Sequence, residues 1–284
     1  MKIGKFIPIL LIAGVFASCN KTPVPSEAGG QMVFIVGAPS VDVSTKATDV
    51  VTSSLSSIYV SATTGTVGTS ESAFWTSVNF TKGEDDVFRA DKWWPLNDPG
   101  LHFYSSNIPV VFGATGSYVS ATTDTDVVCA YLPTPTFNVP NVLTFNHVFA
   151  QIGTVAFSAP SPYSISDVSV SITPRVSGNY NIYAGYGQTD GTGWSSMSNG
   201  SEVSLSLSGS NALYLIPGDY TLTVSYRLTV GDYTDTFTKN ASVSLVGGNV
   251  NNITATVPNG NAESIIISTT LTAWSDNNIV VTGP

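Results

Sequence analysis

Apolar and polar residues alternate along most of this chain in short runs, and nowhere does the spacing settle into the 3.6-residue period of an amphipathic helix. Gln31-Met32-Val33-Phe34-Ile35-Val36 opens the pattern, ends at Gly37 and Pro39, and predicts a strand. Short alternating segments then recur between turn clusters, at 58–62, 74–80, 87–90, 101–105, 127–132, 143–147 and 152–158. After Ala159-Pro160-Ser161-Pro162 the alternation is cleaner. Ile165, Val168, Val170 and Ile172 lead one strand, and Val203, Leu205 and Leu207 another. Tyr220–Val230 turns at Gly231-Asp232 into Tyr233–Val243, the clearest hairpin signal in the chain. Segments 252–257, 264–273 and 279–282 close the sequence. Many strands at short intervals predict an all-β protein of antiparallel β-sandwiches, with helices no more than short connectors.

Pro160 and Pro162, two residues apart, disfavour both helix and central strand, and suggest a division there. The expected partition is an N-terminal β-sandwich domain over 31–158 and a C-terminal one over 159–284.

The start of the chain has a different character. Lys2 and Lys5 precede an apolar run from Phe6 to Phe16, followed by Ala17, Ser18 and Cys19. A basic start, an apolar core of about ten residues and small residues before a cut describe a secretory signal rather than a membrane span. The cysteine makes the arrangement resemble a bacterial lipoprotein box, in which the thiol receives a diacylglycerol and becomes the first residue. Residues 1–18 then read as signal peptide, Cys19 as the lipidation site, and the Pro/Gly-rich stretch 19–30 as a tether. The expected location is the outer membrane or cell surface.

Composition narrows the function. Removing residues 1–18 takes away Lys2 and Lys5 and no acid, so ten basic residues become eight against nineteen acids, a formal charge of −11. Such a surface repels nucleic acid. Charged residues are only 10% of the chain, and Ser, Thr, Asn and Gly take their place beside β-branched and aromatic residues. That mixture suits a pleated surface with one wet face. Cys129, in the apolar run Val127–Tyr131, reads as a small buried hydrophobe.

Catalytic chemistry is sparse. His102 and His147 each sit among aromatics on strand patterns and read as packing residues. Glu84-Asp85-Asp86 reads as a solvated turn, since adjacent carboxylates do not flank a scissile bond. Asp124, Asp126 and Asp190 fall short of the six to eight oxygens that calcium takes. No metal motif, nucleophile elbow or phosphate loop appears, so neither an enzyme nor a cofactor is expected. Tyr183, Tyr186 and Trp194, in and around a Gly/Asn/Ser-rich stretch, are candidate contacts for a glycan or a host protein.

Several stretches together resemble the fimbrillin family, the type V pilins and accessory subunits of Bacteroides-type bacteria. They are the strand after the tether, Ser44-Thr45-Lys46-Ala47-Thr48, Lys92-Trp93-Trp94-Pro95 leading to Phe103-Tyr104, the run Leu143–Ile152, Leu215-Ile216-Pro217-Gly218-Asp219-Tyr220, and Leu271-Thr272-Ala273-Trp274. The resemblance implies two sandwich domains of transthyretin-like topology. It also implies an assembly route. A surface protease cuts after Lys46, where the family usually carries Arg, and Ala47 becomes the new terminus. The strand bearing Met32, Phe34 and Val36 leaves with the lipid, and a C-terminal strand of a neighbouring subunit fills its groove. Candidate plugs are Ile265, Ile267, Leu271, Ile279 and Val281. The implied function is a stalk or accessory subunit of an adhesive fimbria, with other fimbrial subunits as partners. The alternatives are a non-polymerising anchor and a surface lipoprotein that binds host or dietary glycans or proteins.

Overall fold

A computed structural model describes residues 28–37, 55–259 and 264–273. The described strands are β1 (Ala28–Gly37), β2 (Ser57–Thr66), β3 (Ser70–Lys82), β4 (Val87–Pro95), β5 (His102–Ser106), β6 (Val111–Gly113), β7 (Gly116–Thr122), β8 (Val128–Leu132), β9 (Asn141–Thr144), β10 (Asn146–His147), β11 (Ala150–Ser158), β12 (Ser164–Ile172), β13 (Arg175–Asn181), β14 (Trp194–Asn199), β15 (Val203–Leu205), β16 (Ser210–Leu215), β17 (Gly218–Val230), β18 (Tyr233–Leu245), β19 (Asn249–Thr256) and β20 (Ile266–Ala273). One helical turn, α1 (Ile182–Gly185), sits between β13 and β14, its start capped by the Asn181 side chain. The protein is all-β, as the alternation predicts.

The strands form four sheets. An eight-stranded sheet runs β10-β8-β5-β2-β3-β4-β1-β9, and three four-stranded sheets run β16-β11-β19-β20, β15-β12-β17-β18 and β14-β13-β7-β6. The eight-stranded sheet curls over its own core. Met32 and Phe34 on β1 lie in one apolar cluster with Val60 on β2, Phe80 on β3, Phe103 on β5 and Val128 on β8. Strands β5 and β8 also bury their other face. Tyr104 and Cys129 enter a second cluster with Val119 on β7, Tyr180 on β13 and Trp194 on β14. The third cluster fills the sandwich of the remaining two sheets, with Leu222, Val224 and Tyr226 of β17 facing Ile152 of β11 and Ile253 of β19.

The sheets do not divide at the prolines. Strand β11, before them, pairs with β16 antiparallel and β19 parallel, both after them. Strand β13, after them, pairs with β7, before them. Pro160 marks only a turn, closed by a hydrogen bond from Tyr163 N to its carbonyl at 3.0 Å. The hydrogen bonding changes allegiance ten residues earlier. Val148 N donates to Val127 O at 3.0 Å, whereas Phe149 O accepts from Gly248 N at 2.8 Å. A partition into 31–158 and 159–284 therefore cuts through ladders on both sides.

One local device recurs three times. Asn141, Asn211 and Asn251 each reach back five residues. The side-chain oxygen accepts an N–H from Thr136, Ser206 or Val246 respectively, at 2.7, 2.7 and 2.9 Å. The side-chain nitrogen donates to the carbonyl of that same residue at 2.9, 3.1 and 3.1 Å. Each amide mimics one rung of a ladder and pins the loop that delivers a strand. Two of these strands have matching settings: β9 pairs parallel with β1, opposing Asn141 to Phe34, and β19 pairs parallel with β11, opposing Asn251 to Ile152.

Candidate functional site

The slot held by β1 is the candidate site. Its alternation sends Met32 and Phe34 into the core, both fully buried, with Val36 packed at the rim. Phe34 meets the rings of Phe80 and Phe103 edge-on, at centroid distances of 5.1 and 4.9 Å. Ile35 faces outward. On one side Val33, Phe34 and Ile35 oppose Arg89, Phe88 and Val87 of β4, antiparallel. On the other, Phe34 to Gly37 run parallel to β9. Two irregularities of register near Gln31 are bridged by Gln31 Nε2, which donates to Ala90 O at 2.9 Å. Gly30 N donates to Asn138 Oδ1 at 2.6 Å, and a Cβ on Gly30 would stand 2.7 Å from that oxygen, so a larger residue there would have to push the Asn138 side chain aside.

Strand β1 is thus an interior strand, bonded along both edges, and among the described strands the only one that hydrogen-bonds β9 to the rest of the sheet. Burying Met32 and Phe34 at about 2 kcal/mol each contributes about 4 kcal/mol before Val36 and the ladder are counted. Its covalent connection to β2 runs through residues 38–56, which include Lys46 and Ala47. Cys19, Lys46, Ala47, Ile279 and Val281 lie outside the described residues.

The other expected donor residues have a place in the fold. Strand β20 lies at a sheet edge, paired antiparallel with β19 from Ile266–Thr256 to Ala273–Asn249. Ile265 and Ile267 pack on the core of their own sandwich, and Leu271, 37% exposed, lies further along the same strand.

The aromatic ligand site does not assemble. Trp194 is a core residue, stacked on Phe149 with centroids 5.2 Å apart and tilted against Tyr180. Its Gly/Ser-rich neighbours imply exposure, but β14 lays the indole over Phe149, in the bend just before β11 and far earlier in the chain. Tyr183 is 46% exposed and Tyr186 half-buried; both meet Tyr131 edge-on, at 5.5 and 6.0 Å. Burial pushes the Tyr131 hydroxyl up to about 12 and also raises that of Tyr186.

Comparison with solved structures bears on the architecture. A "putative cell adhesion protein" from Parabacteroides distasonis aligns with 87% of this chain and 97% of its own, at 9% identity and a TM-score of 0.54. The two share a fold. A protein of the same description from Bacteroides ovatus covers 89% of this chain and all of its own, at 15% identity and a TM-score of 0.48. A fimbrial assembly protein from Parabacteroides distasonis covers 85% and 97%, at 12% identity and a TM-score of 0.37. No family model and no curated protein sequence matches the chain.

Two histidines read from sequence as packing residues make specific contacts. His147 Nδ1 lies 2.8 Å from an Asp126 carboxylate oxygen. The ring nitrogens of His102 face Pro133 O at 2.6 Å and Gly65 O at 3.0 Å. Glu71 went unnoticed in the sequence, although it is the one charged residue between Ser57 and Thr81.

Proposed function

We propose that this chain is a fimbrillin-type subunit of a cell-surface fimbria, lipid-anchored at Cys19 on export and assembled by exchange of β1 for a strand of a neighbouring subunit. The observation that supports this most is the position of β1. It is interior to the sheet and fully buries two large side chains, yet its covalent link to β2 runs through a segment that contains the candidate cut site Lys46. Cutting there would turn an integral strand into a non-covalent plug, and an incoming strand could regain the same ladders and pockets. A head-to-tail contact of this kind does not close on itself, so it propagates a filament that serves adhesion. Because Ile265 and Ile267 already cover their own core, the donor is assigned to the Ile279–Val281 stretch. No aromatic platform built on Trp194 supports the glycan-binding alternative.

The test is N-terminal sequencing of subunits sheared from the cell surface. Filament subunits that begin at Ala47, and loss of incorporation in Lys46→Ala, are the expected results. Subunits recovered with Cys19 lipidated and β1 in place would leave the chain an anchor at most, and normal filaments from Lys46→Ala would remove Lys46 as the cut site.

A further inference from the structure

Glu71 stands at the start of β3, just after the turn that joins β2 to β3, and its carboxylate is asymmetrically used. Oε1 accepts two hydroxyls, from Thr63 at 2.7 Å and Tyr104 at 2.5 Å. Oε2 accepts a single backbone N–H, from Gly68 at 3.2 Å. Tyr104 is fully buried and stacked on Tyr131, so its hydroxyl is a fixed donor; burial and the adjacent carboxylate hold it protonated far above the usual phenol range. The ion pairs of the described residues join Lys82 to Asp86, Arg89 to Asp85, His147 to Asp126 and Arg227 to Asp167, and none includes Glu71.

A second turn, between β6 and β7, faces this one, and a cavity of about 60 Å³ remains between them. Gly68, Ser70, Glu71, Phe112 and Gly116 are among its walls. A Cβ on Gly116 would lie 3.4 Å from Oε2, and the backbone there (φ +102°) favours glycine, so the space beside the carboxylate stays open.

We propose that this cavity receives the primary ammonium of a lysine side chain on a partner protein, with Glu71 Oε2 as its counter-charge. The chemistry selects among cations. A guanidinium prefers to bridge both carboxylate oxygens, and Oε1 is already occupied by two hydroxyls. An ammonium is a compact point charge on a slim four-carbon stem; it can pair with a single carboxylate oxygen and leave its other N–H groups to water or backbone carbonyls. Calcium takes six to eight oxygens, and among the described residues no group of three His, Cys, Asp or Glu could hold a metal. An amino sugar would bring a ring into a space well below the roughly 300 Å³ at which small-molecule pockets begin. The assignment is independent of strand exchange and holds for cut and uncut chains alike.

The experiment is an amide-resolved NMR titration of the full chain with Nα-acetyl-lysine N-methylamide, reading Gly68 and Gly116. Saturable shifts are expected with lysine, and none with its Nε-acetylated form. Loss of a charge-assisted contact in Glu71→Gln should weaken binding by about tenfold or more. Equal response to the acetylated form, or no response to lysine, overturns the proposal. Glucosamine binding as tightly as lysine overturns the choice of ligand. These comparisons need only the wild-type protein, so they remain decisive if Glu71→Gln does not fold.

Discussion

Phe34 meets Phe103 edge-to-face, with centroids 4.9 Å apart and ring planes at 81°. The two rings come from β1 and β5, which are separated by three intervening strands in one sheet. They touch because the sheet curls until its inner face becomes a closed core. The first segment of the described chain is therefore part of the structural centre of that sheet.

Truncating Phe34 to Ala should destabilise the uncut protein by about 3–5 kcal/mol, the range for removing a large aromatic from a packed core. Urea denaturation followed by tryptophan fluorescence measures this. A loss below about 1 kcal/mol would mean that β1 contributes little to the native state, and would weaken the plug reading with it.

Trp194→Ala is expected to act on stability. Loss of the stack on Phe149 should cost about 3–5 kcal/mol, whereas Tyr183→Ala, at a half-exposed ring with one edge contact to Tyr131, should cost no more than about 1.5 kcal/mol. Thermal melts of the two variants side by side separate a core residue from a surface one.

Asn251 is fully buried, and its amide serves Val246 N, Val246 O, Asn249 O and Gln151 O. Replacing it with Ala leaves those backbone groups without their partner, at a cost of about 1–3 kcal/mol. Asn211, half-buried, makes a similar clamp where water can substitute, so Asn211→Ala should cost less. Equal costs in chemical denaturation would show that the clamp's value does not depend on burial.

Burial pushes the Cys129 thiol from its ordinary value of 9.0 up to about 12. It should not react with a disulfide reagent at pH 8 until the protein is unfolded. The stability consequence has a definite sign. The folded pKa is raised, so the protonated thiol's contribution is full below pH 9 and declines as the unfolded chain ionises between pH 9 and 12. Cys129→Ser should flatten that decline in a pH series of denaturation midpoints.

How much of this was legible beforehand varies with the range of the contacts. The hairpin of Tyr220 and Tyr233 was readable because both strands and their turn lie within one continuous stretch of alternation. Phe103 falls within a predicted strand for the same reason, whereas Trp94 lies beyond the 87–90 segment and on the observed strand β4. Strand β14 was hidden, since Trp194-Ser195-Ser196-Met197-Ser198-Asn199 has one buried residue and otherwise faces water. Its ladder partner β13 has as its other neighbour β7, more than fifty residues away. The ladders cross the prolines at 160 and 162, because prolines report a local turn, whereas sheets are assembled by distant partners. Glu71 carried a faint signal, a lone acid in a neutral stretch, but its two hydroxyl donors come from other strands.

The margins of the eight-stranded sheet are short: two residues in β10 and four in β9. Stubs of that length offer too few unpaired amides to recruit a foreign chain. Withdrawing β1 would bare the nine residues of β4 instead. On the proposed strand exchange, the same segment that completes the fold would act as a safety catch, keeping that margin concealed until β1 is cut free.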